Sequence, residues 1–231
     1  MGQKAFQLAK LKNAGFKVPS GFAVSMLEDL DAIADDTWLN AVQKIGDFPV
    51  AVRSSMACED GKEHSFAGIF ESVLNVSKLQ ELRLAVQRVC KSKDSPRVAS
   101  YLQFKKLTVP EMGGAILVQK MVAPKFSGVA FTKFPIANNR EQALIEYCAG
   151  ANQSTVDGTS NPQRIFIDLR DPKDHGEPKE GSATHMSASE LKKLCQVLVD
   201  IEAYMQSPQD VEWAIDSEQV LWILQSRFIT S

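Results

Sequence analysis

Residues 209–227 constrain the fold of this chain most. Val211 to Ile215 and Val220 to Gln225 are apolar runs with alternating character, separated by Asp216-Ser217-Glu218, and this punctuation predicts a closing β-hairpin. Alternation puts Asp210 and Glu212 on one face of the first strand and Val211 and Trp213 on the other. On the second strand Gln225 and Arg227, two residues apart, share a face. A carboxylate and an amide oxygen are hard donors of the kind Mg²⁺ takes, and an arginine beside them suits a phosphate. The same pattern also fits an exposed hairpin face with solvated charges, and the hairpin alone does not choose between the two.

A second signal lies in Val50-Ala51-Val52-Arg53-Ser54-Ser55, a strand that runs into a polar loop ending at Ser65-Phe66-Ala67-Gly68. Small and hydroxyl residues leave backbone N–H groups free to face an anion, and Gly68 permits close approach. Arg53 supplies a two-pronged donor for phosphate oxygens. A surface loop with a structural arginine reads the same way. Lys4, in Gly2-Gln3-Lys4, stands at the start of the first helical pattern, where unpaired N–H groups favour anions. Val118-Gln119-Lys120-Met121-Val122 ends an apolar strand that can offer backbone groups to an adenine edge, or can simply be core. Read together, these segments describe a site for ATP with Mg²⁺.

The rest of the chain alternates unevenly between helical and strand patterns. Helices are expected over residues 3–14, within Leu27–Ile45, over Lys78–Phe104 in two pieces with Ser95-Pro96 opening the second, and from a Ser187 or Ser189 cap to Met205. Val18–Val24 reads as a turn into a short strand, and strands are expected at Val50–Ser54, Ala115–Met121, Gly128–Thr132, Ala143–Tyr147 and Arg164–Asp168. Phe66–Val76 reads as a short helix or strand, and residues 170–186 as a long polar loop. That is α+β or mixed α/β in two lobes, with the pattern breaking near 105–114.

Composition removes several function classes. A net charge of −2 gives no electrostatic case for nucleic acid or an anionic membrane surface. No apolar run reaches the roughly 20 residues a membrane span needs. The N-terminus enters a helical pattern at once, so no signal peptide is expected. Cys58, Cys90, Cys148 and Cys195 form no Cys-x-x-Cys pair, so structural zinc is not expected and free thiols in a cytoplasmic protein are. His64, His175 and His185 stand in polar segments with no partner that marks a catalytic base.

In order along the chain, Gly2-Gln3-Lys4, Ala14-Gly15-Phe16-Lys17-Val18-Pro19-Ser20-Gly21-Phe22, Val52-Arg53-Ser54-Ser55, Ser65-Phe66-Ala67-Gly68, Ser127-Gly128-Val129-Ala130-Phe131-Thr132, Gln209-Asp210-Val211-Glu212-Trp213 and Leu224-Gln225-Ser226-Arg227 resemble the nucleotide-binding domain of the pyruvate phosphate dikinase, phosphoenolpyruvate synthase and rifampin phosphotransferase family. The resemblance covers nearly the whole chain. It implies an α+β, ATP-grasp-like fold whose two lobes clamp a nucleotide. The N-terminal lobe would be 1–112, with the phosphate-binding lysine and arginine, and the C-terminal lobe 113–231, with the adenine strand and metal-binding hairpin.

By that resemblance Lys4 and Arg53 bind phosphates, and Gly68 and Ser72 lie against the phosphate chain. Gln119, Met121 and Val122 line the adenine pocket, Glu212 and Gln225 hold Mg²⁺, and Asp210 and Arg227 complete the phosphate end. Lys4, Arg53 and Arg227 are then the catalytic set, acting by position and charge. The family passes phosphate to a histidine on a swivelling carrier domain. No carrier motif stands in these 231 residues, so a carrier on a separate chain is the expected partner. The pattern departs from the family at Gly2-Gln3, where a glycine pair is usual, and at Gly150-Ala151-Asn152-Gln153, where Gln153 replaces a carboxylate. A strand that usually precedes the lysine motif is also missing. An ATP-binding or sensing module without turnover, or a split fragment, is the alternative to an active ATP-dependent phosphotransferase.

Overall fold

Apolar residues at two periods, 3.6 and 2, sort the chain into five α-helices and nine strands among the described residues. A computed structural model of the protein describes residues 2–26, 29–57, 69–104, 113–135, 141–151, 162–169 and 185–229. The expectations placed on Cys58, His64, Gly68, Gln153 and His175, and the helix start at Leu27, lie outside these residues. Two units divide the chain, one of residues 1–9 and 19–121 and one of residues 10–18 and 122–229.

In the first unit, β1 (Gly21–Ser25), β2 (Val50–Met56), β3 (Ser72–Val76) and β4 (Gly114–Lys120) form an antiparallel sheet in the order β1-β4-β2-β3. β4 lies between β1 and β2 in that sheet, so Gly114–Lys120 belongs to the first unit. Helix α1 (Gln3–Asn13) opens the chain, and Gly15 follows it at φ +94°, the left-handed conformation that ends a helix without a Cβ penalty. Helix α2 (Asp35–Lys44) is shorter than the expected helical stretch. Helix α3 (Leu79–Lys91) shows Leu82, Ala85, Val86 and Val89 at positions i, i+3, i+4 and i+7, all buried. They pack with Trp38 and Val42 of α2 and with Val50, Val52, Ile116 and Val118 of the sheet. A 3-10 turn (Ser92–Asp94) joins α3 to α4 (Pro96–Phe104).

The second unit holds five antiparallel strands in the order β7-β6-β5-β8-β9: β5 (Pro124–Pro135), β6 (Glu141–Ala149), β7 (Gln163–Ile167), β8 (Gln209–Asp216) and β9 (Leu221–Phe228). The long central strand β5 pairs with both β6 and β8. Gly128 sits where its register partners are Tyr147 and Trp213, and a Cβ there would run into the Glu146 carbonyl. Helix α5 (Ala188–Met205) buries Leu191, Leu194, Leu198 and Ile201. Among the described residues, no helix is long and apolar enough to cross a membrane.

Ser187, not Ser189, is the cap of α5. Its hydroxyl accepts from the Glu190 N–H, while Glu190 Oε2 accepts from the Ser187 N–H at 2.8 Å. The other Glu190 oxygen accepts from Lys125 Nζ at 2.8 Å, although the Glu190 side chain is only 5% exposed. Burial pushes this carboxyl up, but the bonds from Lys125 and Ser187 together outweigh it and hold it below the ordinary glutamate range. A depressed carboxyl stabilises the fold above its unfolded titration range, and the contribution disappears as pH falls through the folded value. Glu190→Gln should therefore cost about 1–3 kcal/mol at pH 7. Urea unfolding of both proteins should show the gap narrowing toward pH 3. A gap that stays constant with pH would show that the charge of Glu190 contributes nothing.

Candidate functional site

In the first unit the site begins where α1 meets β2. Lys4 is 5% exposed, and its ammonium donates to the Ser54 carbonyl at 3.1 Å. The Ala5 N–H, one of the donors a helix start leaves without an internal partner, bonds Ser55 Oγ at 2.9 Å. This approach depends on Gly2, since a Cβ at that position would lie on the Ser55 carbonyl. The glycine two residues before the lysine is thus a steric requirement of the helix–strand contact. Arg53, half-buried, stands next to Ser54 on β2 and opposite Ser72 of β3. Lys4, Arg53 and Ser72 are therefore gathered around the middle of β2 and its neighbour β3.

Gln119, toward the end of β4, pairs with Gly21 and Ala51. Its side chain is buried, and its amide donates to the Pro19 carbonyl at 3.4 Å. Met121 follows the strand with its N–H on the Pro49 carbonyl at 3.1 Å, and Met121 and Val122 are both half-buried.

In the second unit the hairpin brings four expected residues onto one face. Asp210 is the register partner of Arg227, and Glu212 that of Gln225. One Asp210 oxygen accepts from Arg227 Nε at 2.7 Å and from Nη2 at 2.6 Å. The other oxygen, Oδ1, is buried and accepts no hydrogen bond. Burial pushes the Asp210 carboxyl above the ordinary aspartate range. Arg227 opposes that shift, and the Glu212 charge reinforces it.

A further set was not singled out from the sequence. Gln209, fully buried, donates its side-chain amide to the Ser207 and Pro208 carbonyls and accepts from Ser226 Oγ at 2.8 Å. Its N–H bonds Thr132 Oγ1 at 2.9 Å. A glutamine at an inward position beside Val211 and Trp213 is the signal that could have found it.

The donor set fits Mg²⁺. Asp210 Oδ1 is an orphaned buried oxygen, Glu212 adds a carboxylate two residues along the same face, and Gln225 an amide oxygen. Among the described residues no group of three His, Cys, Asp or Glu side chains is placed to hold a metal. A site of two carboxylates and an amide suits an ion that keeps other oxygens, water or phosphate, in its shell. Cys90, Cys148 and Cys195 are free thiols. Burial pushes Cys195 up to about 11, which makes it a poor nucleophile.

Residues 25–179 and 171–231 match the family model of the pyruvate phosphate dikinase AMP/ATP-binding domain. The chain is 30% identical to the phosphoenolpyruvate synthase of Deinococcus radiodurans over 86% of its own length and 30% of that protein. It is 26% identical to a probable phosphoenolpyruvate synthase of Methanocaldococcus jannaschii over 100% of its length and 25% of the other. It is 29% identical to a rifampicin phosphotransferase of a Streptomyces species over 78% and 23%. The chain thus spans between a quarter and a third of the length of the first curated relatives it matches. In fold it is similar to the D-alanine–D-alanine ligase of Coxiella burnetii, with a TM-score of 0.53 at 12% identity, over 99% of this chain and 48% of that one. It is also similar to the ADP complex of an N5-carboxyaminoimidazole ribonucleotide synthetase, with a TM-score of 0.51 at 10% identity, over 97% and 44%. These likenesses, at such identity, establish the α+β, ATP-grasp-like fold.

Gly2→Ala is expected to part the start of α1 from β2. Hydrogen exchange of the Ala5 amide, held by Ser55 Oγ, should then quicken about fivefold, the equivalent of one lost hydrogen bond of about 1 kcal/mol. Unchanged exchange at Ala5 would mean that Gly2 does not control the contact.

Proposed function

The chain belongs to the pyruvate phosphate dikinase AMP/ATP-binding domain family, and from that membership we propose that it binds ATP with Mg²⁺ and transfers a phosphoryl group to a histidine on a separate carrier domain or to a small acceptor. The observation that carries this reading is the polar face of the β8–β9 hairpin, where Asp210, Glu212, Gln225 and Arg227 meet as register partners.

In this reading Glu212 and Gln225 hold the metal through oxygen, with Asp210 Oδ1 as a further donor. Mg²⁺ bound there would neutralise charge on the phosphate oxygens. Arg227, fixed by its two bonds to Asp210, presents its remaining N–H groups in a set direction. Arg53 and Lys4 take phosphate oxygens as charged donors, and Ser72 lies beside Arg53 across the strand pair. The Lys4 ammonium bonds a backbone carbonyl, so its position is set before a phosphate arrives. Gln119, Met121 and Val122 are assigned to the adenine, with Gly68 against the phosphates. Such a site works by positioning and charge stabilisation, with no covalent intermediate on these side chains.

Calorimetric titration with ATP, with and without Mg²⁺, tests the assignment. Wild type should bind, with Mg²⁺ tightening the complex. Arg53→Ala should weaken binding about 10–100-fold, the loss of one or two charge-assisted hydrogen bonds. Glu212→Ala should leave residual affinity that no longer responds to Mg²⁺. Incubation with labelled ATP and a histidine-bearing carrier domain should then yield acid-labile phosphate on the carrier. No binding at millimolar ATP by the folded chain would sink the reading. Binding without transfer would support an ATP-binding or sensing module instead.

A further inference from the structure

The outer face of α3 carries a feature that the nucleotide reading leaves unused. Leu84, Gln87, Arg88 and Lys91 stand at positions i, i+3, i+4 and i+7, opposite the buried stripe of the same helix. They form one wall of a cavity of about 650 Å³, within the usual range for small-molecule sites. Ile69, Phe70 and Glu71 also line it, with Ser95 and Arg97 from the turn into α4.

Hydrogen bonds tie the two lining segments together. Arg88 and Glu71 form a two-bond ion pair, at 2.7 Å and 3.2 Å, across the cavity wall. The Glu71 N–H also donates to Ser92 Oγ at 3.4 Å, and that hydroxyl donates to the Val89 carbonyl at 2.7 Å. Phe70 is buried in a small cluster with Met56 and Val98, which anchors the segment from beneath.

Charge and polarity in the cavity point one way. Both arginines of α3 have acidic partners, Arg83 on Asp35 and Arg88 on Glu71. Lys91 and Arg97 have none among the described residues, and both are exposed. Among the described residues of the lining, Glu71, already paired, is the only carboxylate. Beside these two cations lies apolar surface from Ile69, Phe70 and Leu84, and Leu84 is 66% exposed. A leucine that open on a helix is surface that a ligand would remove from water.

We propose that this cavity is a second ligand site, one for an organic anion, carboxylate or phosphate, with an apolar body. Lys91 and Arg97 take the anionic head, and Leu84 with Ile69 and Phe70 takes the body. The site uses none of the residues assigned to the nucleotide, and the proposal stands whether or not ATP is turned over.

The test is fluorescence titration of the full chain with 8-anilinonaphthalene-1-sulfonate, an aromatic anion that brightens on leaving water. One saturable site is expected, weakened by salt. The double variant Lys91→Glu/Arg97→Glu should lower affinity at least tenfold, and Leu84→Ala several-fold, with melting temperatures unchanged because all three side chains are exposed. Should the charge reversal disturb folding, Lys91→Gln/Arg97→Gln takes its place, with the same loss expected. Octanoate or octyl phosphate should displace the dye, and whichever competes better identifies the head group. Saturating ATP should not displace it. Unchanged affinity in the charge variants, displacement by ATP, or competition by neither alkyl anion would each overturn the proposal.

Discussion

A slip of one residue of β9 along β8 would turn Gln225 and Arg227 into the core and part them from Glu212 and Asp210, because side chains alternate along a strand. The register is therefore the condition on which that half of the site rests. It is held from the core side. Val211 and Trp213 are fully buried there, and Gln209 and Ser226, also buried, bond each other across the two strands. A slip would leave the Gln209 oxygen and the Ser226 hydroxyl without partners away from water, which costs about 1–3 kcal/mol for each group. Gln209 is further tied to Thr132 of the neighbouring strand β5, so the hairpin is locked to the sheet as well as to itself.

The hairpin contains one irregularity, and it falls beside Glu212. Glu212 faces Gln225, but Trp213 faces Ile223, so Leu224 is an extra residue on β9. The bulge lets Ile223 and Ser226, three residues apart, both face the core. It equally lets Gln225 and Arg227 face away with Glu212 and Asp210. Strict alternation would have placed Ile223 on the polar face with Gln225. The shared face of Gln225 and Arg227 was legible in the sequence, because two residues separate them. The bulge was not legible, because it is defined only by the partner strand.

The same division holds elsewhere. The α3 stripe, the Gly15 helix stop, the strand at β4 and the α5 start were readable from local spacing, since burial period and capping chemistry act over a few residues. The choice of Ser187 over Ser189 was not, because it depends on Glu190 reaching back to the cap. Nor was the place of β4 between β1 and β2, which is a matter of long-range pairing. Lys4 shows the limit most clearly. Its position at a helix start was legible, but its bond to Ser54 and the need for Gly2 against Ser55 join residues about fifty apart in sequence. No local pattern records that contact.

Charge separates the two groups of candidate residues and bears on what each could hold. Lys4 and Arg53 carry two positive charges and no carboxylate, a set that attracts an anion. On the hairpin face, Asp210 and Glu212 carry two negative charges against the single positive charge of Arg227. That face would repel a free polyphosphate and attract a cation. The cost of keeping Asp210 ionised away from water is visible in the upward push on its carboxyl, and Arg227 offsets it only in part. A divalent ion at Oδ1 would supply the missing positive charge and reverse the sign of the face. In the proposed reading the hairpin would therefore take a phosphate that arrives with its metal rather than one that arrives without it. On the proposed assignment Mg²⁺ dependence should reside in Glu212 and Gln225, with Asp210 as the further donor, and sensitivity to phosphate charge in Lys4 and Arg53.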